Sequence, residues 1–309
     1  MSLQSSSVPL ALSLLLSFHG LRRKSLSPNG AITAFIVGYA IMSSPVRAFG
    51  VGLITFYLVG SRATKYGKKR KTQLEQEYHE AGYRSGWQVL CNSLSALVAV
   101  TLWNAYFVPG SIHGLLVKGI GFKVPTSGPI YGAGAWCPTE RTIGSGLSRF
   151  LFFAVLGQFS CCLGDTLASE LGILSQTPPR MITTFKRVPP GTNGAISVVG
   201  TVASIAGGMI VGTAMGVSAV MENEKCDGRD LMEGIVWGGM AGGIGSVIDS
   251  WMGAIVQETL YDEKQKRVAQ RKASGVVGIG GWNLLSNNQV NLLSSSLTAL
   301  LIGWVTSRS

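Results

Sequence analysis

The sequence predicts an all-α fold, a polytopic bundle of transmembrane helices, and three observations predict it. Hydrophobic residues make up 46% of the 309 residues and charged residues only 13%, whereas soluble domains carry about 25% charged residues. The apolar residues gather in runs that approach the length of a membrane span. The basic residues, which give a net charge of +11, fall in short loops between those runs. That distribution follows membrane topology and argues against a nucleic-acid-binding face.

About eight spans are expected, in one integral membrane domain covering 1–309. They cover 8–21, 30–44, 46–60, 88–108, 147–163, 194–220, 232–257 and 288–306. The first is the weakest, and it lacks the basic flank and cleavage site of a signal sequence. Several are short, which implies tilt or termination inside the protein. The 41 glycines point to close helix packing, with "GTAMG" (212–216) and "GGMAGG" (238–243) as contact sites.

Placing the loops 22–29, 61–87, 164–193 and 258–287 in the cytosol puts 18 of the 26 Lys and Arg residues there. The opposite arrangement would export "KYGKKRK" (65–71) and "EKQKR" (263–267), against the positive-inside rule. Both termini are then non-cytosolic. Cys137 and Cys226 also fall on the non-cytosolic side, where a disulfide is chemically allowed, and their pairing stays open. Cys91, Cys161 and Cys162 read as small buried side chains. No cysteine spacing suits zinc.

A parallel internal repeat is expected, with halves 29–163 and 193–306. "NGAI" opens an apolar span at 29–32 and again at 193–196. Later in each half a Gln-Val element enters a span, in "GWQVLCNSLSALVAV" (86–100) and "NNQVNLLSSSLTALL" (287–301).

Polar groups gather at the expected cytosolic ends. "GDTLASE" supplies Asp165, Thr166, Ser169 and Glu170; "GSVIDSWMGA" places Asp249 inside an apolar run, with Ser250 beside it. Ionisable groups within spans are costly and usually functional. Asp165, Glu170 and Asp249 are candidate catalytic acids and Mg²⁺ ligands, because Mg²⁺ pairs one or two carboxylates with phosphate oxygens. Arg62, Lys65, Lys186 and Arg187 are candidate phosphate-binding cations. Asn193-Gly194 is expected to open a helix whose N-terminus faces an anion, and Asn29-Gly30 to repeat that geometry. Plainer readings stand beside these: helix caps or solvated acids for Asp165 and Glu170, topology signals for Lys186 and Arg187, ordinary turns for the Asn-Gly pairs, and a structural ion pair for Asp249.

These stretches resemble one family. "GSRATKYGKKRK" (60–71), "RSGWQVLCN" (84–92), "GDTLASELG" (164–172), "VPPGTNGAISVVG" (188–200), "IDSWMGAIVQ" (248–257) and "NNQVN" (287–291) follow, in order, the pattern of the transmembrane protein 19 family. The resemblance implies an integral membrane protein. Its plant member is the phytyl-phosphate kinase of vitamin E biosynthesis, which phosphorylates a polyprenyl monophosphate from a nucleoside triphosphate. Residues 1–30 do not read as a chloroplast transit peptide, so the phytyl chain is not carried over; the 109–146 loop also departs from the family pattern in being longer. The expected function is transfer of a phosphoryl group from CTP or ATP to an isoprenoid monophosphate at the cytosolic face, in the endoplasmic reticulum or another endomembrane. No Walker A motif is present, and no nucleic-acid partner is expected. The alternative is a transporter or carrier for an anionic lipid.

Overall fold

The computed structural model describes residues 3–67, 71, 83–121, 129–269 and 271–308. Ten α-helices lie among them: α1 (Leu3–Arg22), α2 (Pro28–Met42), α3 (Arg47–Lys65), α4 (Gly86–Cys91), α5 (Leu94–Phe107), α6 (Ile112–Gly119), α7 (Leu147–Gly172), α8 (Val198–Glu222), α9 (Gly228–Val256) and α10 (Asn287–Arg308). Helices α7 to α10 are long and apolar enough to cross a membrane; α5 with α6 makes a fifth if that pair, bent by 93°, is one span. The all-α expectation needs one correction. Two small antiparallel sheets close one end of the bundle, β1 (Arg180–Met181) with β2 (Ala195–Ile196), and β3 (Thr259–Asp262) between β4 (Arg267–Ala269) and β5 (Val276–Gly280). "EKQKR" therefore forms the β3–β4 turn, with Lys266 at φ 51°. The basic residues 68–70 lie outside the described residues.

Helix α7 is the axis of the bundle. Phe153, Val155, Leu156, Phe159 and Leu163 are fully buried, and α3, α5, α8, α9 and α10 pack around it. A helix apolar on all sides is one that neighbours enclose. The expected end of this span at 163 is too early: the helix runs on to Gly172, so Asp165 sits within it.

Helices α8 and α9 meet through glycine. A Cβ on Gly208 would collide with the Gly238 carbonyl, and one on Gly212 with the Gly234 carbonyl. Only glycine permits that approach, as the two glycine-rich stretches predicted. Glu222 at the end of α8 accepts from the backbone N–H groups of Arg47 (3.0 Å) and Ala48 (3.4 Å). It thereby satisfies donors at the start of α3 that have no partner within their own helix.

The opposite end of the bundle is closed by the 129–142 segment. Trp103, Tyr131 and Trp136 stack edge to face there. Arg149 donates to the carbonyls of Thr306 and Thr139 and pairs with Glu233 at 2.7 Å. Cys137 and Cys226 form a disulfide, while Cys91, Cys161 and Cys162 are free and buried.

Candidate functional site

A cavity of about 890 Å³ opens at the end of the bundle away from the disulfide. On α7, Asp165 lies 18 residues beyond Leu147, about 27 Å at 1.5 Å per residue. The cavity is framed by the C-terminal part of α7, the start of α8, the last turns of α9, the start of α10 and the two sheets. Eight expected site residues line it: Asp165, Thr166, Ser169, Glu170, Asn193, Gly194, Asp249 and Ser250.

Asp165 and Asp249 are close enough to interact electrostatically. Ser294 Oγ, itself buried, donates to Asp249 Oδ2 at 2.8 Å. Asn92 and Asn291 lie beside them, with Asn291 Nδ2 donating to Asn92 Oδ1 at 3.5 Å. Asn291 Oδ1 is a buried acceptor with no hydrogen-bond partner among the described residues. Two carboxylates and an unpartnered amide oxygen make a set of hard oxygen donors, which fits Mg²⁺. Thr166 and Ser169 turn their hydroxyls back onto the α7 carbonyls of Cys162 and Thr166, so they shape the wall.

Glu170 differs from the expectation. Lys71, with no exposed surface, pairs with Glu170 Oε2 at 2.5 Å and also donates to the Ala63 carbonyl at 3.2 Å. The carboxylate that read as a metal ligand is thus the counter-ion of a buried lysine, and it balances a charge that burial would otherwise make costly.

The expected cations are elsewhere. Arg62, Lys65, Lys186 and Arg187 are exposed and do not line the cavity. Lys65 reaches the Arg23 carbonyl at 3.3 Å, and Lys186 and Arg187 stand on the turn after β1. Among the described residues, the cation that does line the cavity is Arg84, 8% exposed. Its guanidinium donates to Ser61 Oγ at 2.9 Å. Burial lowers its pKa, opposed by Tyr57 and Glu170, and an arginine stays charged regardless.

The two Asn-Gly pairs position neighbouring chain. Asn29 Oδ1 accepts from Gly86 N at 3.2 Å. Ser27 N donates to the Arg84 carbonyl at 3.0 Å, and Arg84 N donates to the Ser25 carbonyl at 3.1 Å. A Cβ on Gly30 would strike that same Arg84 carbonyl. The first pair therefore clamps the backbone of Arg84. At the second pair the expected helix start moves. Helix α8 begins at Val198, capped by Ser197, because Gly194 (φ +74°) turns the chain into β2 first. Asn193 Nδ2 donates to the Glu258 carbonyl at 3.2 Å and its N–H to Thr259 Oγ1 at 3.1 Å, which pins the hairpin to β3. Ser197, Gly200 and Thr201 line the cavity, so the helix N-terminus faces it four residues later than expected.

Comparison with known proteins agrees with this membrane architecture. The integral membrane protein family DUF92 matches residues 11–299. The chain belongs to that family. It is 32% identical to Protein PGR of Arabidopsis thaliana over 94% of this chain and 92% of that protein. It is 24% identical to Uncharacterized membrane protein MJ0933 of Methanocaldococcus jannaschii, over 84% of this chain and 86% of the relative. A membrane protein of Synechocystis, sll0875, is 25% identical over 76% and 73% of the two chains. No solved structure matches. The protein is an integral, multi-pass membrane protein, and the family resemblance read from its motifs holds along nearly the whole chain.

Proposed function

We propose that this DUF92 protein is a membrane-embedded kinase that transfers a phosphoryl group from a nucleoside triphosphate, CTP or ATP, to an isoprenoid monophosphate. One observation carries the reading: Asp165 and Asp249, close enough to interact electrostatically, line a polar cavity that a buried arginine and a helix N-terminus also line. Phosphoryl transfer needs charge neutralisation and alignment more than covalent help, and those are what this group of residues supplies.

In the proposed reaction an oxygen of the acceptor phosphate attacks the γ-phosphorus. The bond from that phosphorus to the bridging oxygen breaks, and the nucleoside diphosphate leaves. Asp165 and Asp249 would hold Mg²⁺, which supplies positive charge to the donor phosphates when bound. Ser294 fixes the Asp249 carboxylate. Arg84 binds acceptor oxygens by charge-assisted hydrogen bonds. The N–H groups at the start of α8 offer further donors to a phosphate. Asn29 and Gly30 hold Arg84 in place, and Glu170 holds Lys71.

The eight-span topology and the repeat are part of this proposal. Helices α1 and α2 supply two further apolar segments, both short, and the 19-residue α3 follows them. Ser95 and Ser296 hydroxyls meet at 2.6 Å, 201 residues apart, the same separation as Gln88 and Gln289. Equivalent positions that touch are what a pseudo-twofold axis along the membrane normal produces. The "NGAI" copies take different conformations, one in the first turn of α2 and one in a strand, so they do not carry the symmetry. The disulfide at the far end suits an oxidising compartment, which supports the reading that the cavity lies on the cytosolic side of an endomembrane. A carrier would place its polar groups near the midplane, whereas these lie at one end.

The test is purified protein with Mg²⁺, labelled CTP or ATP, and isoprenyl monophosphates of several lengths. A labelled isoprenyl diphosphate is expected. Binding of the monophosphates without transfer from any nucleotide would contradict the kinase.

A further inference from the structure

A second, apolar cavity of about 70 Å³ lies between α1, α2 and α3. Its walls include Leu16, Ala34, Val37, Leu53 and Phe56. Leu16, Leu53 and Ile54 in its wall are half-buried, so the crevice is not sealed from the surroundings along α1 and α3. The outer face of α1 shows Leu14, Leu15 and Phe18 to the surroundings, as a lipid-facing helix does. The crevice is thus reached from the hydrocarbon side of the membrane.

Its inner end is shared. Arg84 and Asn92 line both this crevice and the polar cavity. An apolar slot open to lipid therefore meets, at a buried guanidinium, the compartment of the two aspartates. That junction matches an amphiphile with one apolar chain and an anionic head. The crevice is about half the size of the roughly 150 Å³ cavity that takes a benzene ring, so it cannot enclose a long chain.

We propose that this crevice seats the first isoprene unit of an isoprenoid phosphate whose phosphate is bound by Arg84, while the rest of the chain stays in the bilayer. The identity of the ligand rests on the kinase reading; the seat itself rests on the shared lining. The site then reads the head and the first branched unit and tolerates any chain length beyond it. Gly38 in the crevice wall gives a way to fill it, because a Cβ there would meet only Met42 Cε and Ser13 Cβ, each at an ordinary 3.5 Å.

The experiment uses the full chain in lipid nanodiscs without nucleotide. C10 and C20 isoprenyl monophosphates should bind wild type with similar affinity. Gly38→Phe should weaken the C20 ligand by about tenfold, the effect of losing burial of roughly two methylene-sized groups, and leave competition by inorganic phosphate unchanged. Arg84→Gln should weaken both probes. Independently of any variant, a diazirine on the first isoprene unit of the C20 ligand should label α1, α2 or α3 of wild type. Labelling confined to α8, α9 and α10, or wild-type C20 affinity in folded Gly38→Phe, would overturn the seat. Correct labelling with no transfer from any nucleotide would support the seat and remove the kinase reading alone.

Discussion

Ser294 Oγ on α10 donates to Asp249 Oδ2 on α9 at 2.8 Å, and no other hydrogen bond reaches that carboxylate among the described residues. The contact couples the start of α10 to an acid within a span. Ser294→Ala removes a hydrogen bond to a charged group, worth about 1.5–3 kcal/mol. The apparent Mg²⁺ requirement of turnover should rise in that variant. A lowered melting temperature with an unchanged Mg²⁺ titration would limit Ser294 to packing.

The buried pair of Lys71 and Glu170 sets a second expectation. Glu170→Gln removes the negative charge that balances Lys71, a lysine with no exposed surface, and breaking a buried pair by removing one charge costs about 3–5 kcal/mol. Glu170→Gln should melt well below wild type. Replacing both residues with apolar ones should recover most of the loss. Equal melting of Glu170→Gln and wild type would show that the pair carries no stability.

Arg84 is expected to matter where the exposed cations do not. Arg84→Gln should raise the KM for the lipid phosphate by about tenfold or more, the worth of one lost charge-assisted hydrogen bond. Lys186→Ala and Arg187→Ala, on the exposed turn after β1, should leave KM unchanged. Steady-state kinetics on the three variants decides this, and a larger effect at Lys186 than at Arg84 would relocate the anion site.

The disulfide should report on the other end of the molecule. Cys137 and Cys226 are 89 residues apart in sequence, and removing such a cross-link typically costs about 2–5 kcal/mol. Cys226→Ala should lower the melting temperature and leave turnover near wild type at 25 °C. Loss of activity in a fully folded Cys226→Ala would mean that the two ends are coupled.

The helices and the acids were legible in the sequence; the partners of the acids were not. Apolar runs marked most of the helices, because burial in lipid or protein demands them, but the 88–108 run is split between α4 and α5 and the 194–220 run begins in β2. The glycines of α8 and α9 announced a close contact. Asp165 looked like the end of a span because a charge usually ends one, yet α7 continues where a polar cavity receives that charge. Glu170 resembled Asp165 in local sequence, and its pairing with Lys71, 99 residues away, sets it apart. Arg84 was hidden as one of several basic residues in a loop that reads as a topology signal. Its burial follows from Ser25, Ser27, Asn29 and Gly30, which fix its backbone, and that long-range pairing has no periodic trace. The sheet from β3 to β5 was masked by its basic turn.

Asp165 is the residue on which the proposed phosphoryl transfer depends most directly. Asp165→Asn keeps the shape of the side chain and removes its negative charge. The measurement is Mg²⁺-dependent transfer of label from CTP or ATP to an isoprenyl monophosphate, with melting recorded on the same sample. A folded Asp165→Asn with turnover reduced by at least about a thousandfold, as loss of a group stabilising transition-state charge implies, is the predicted result, and Asp249→Asn should match it. Full turnover in folded Asp165→Asn would contradict the account.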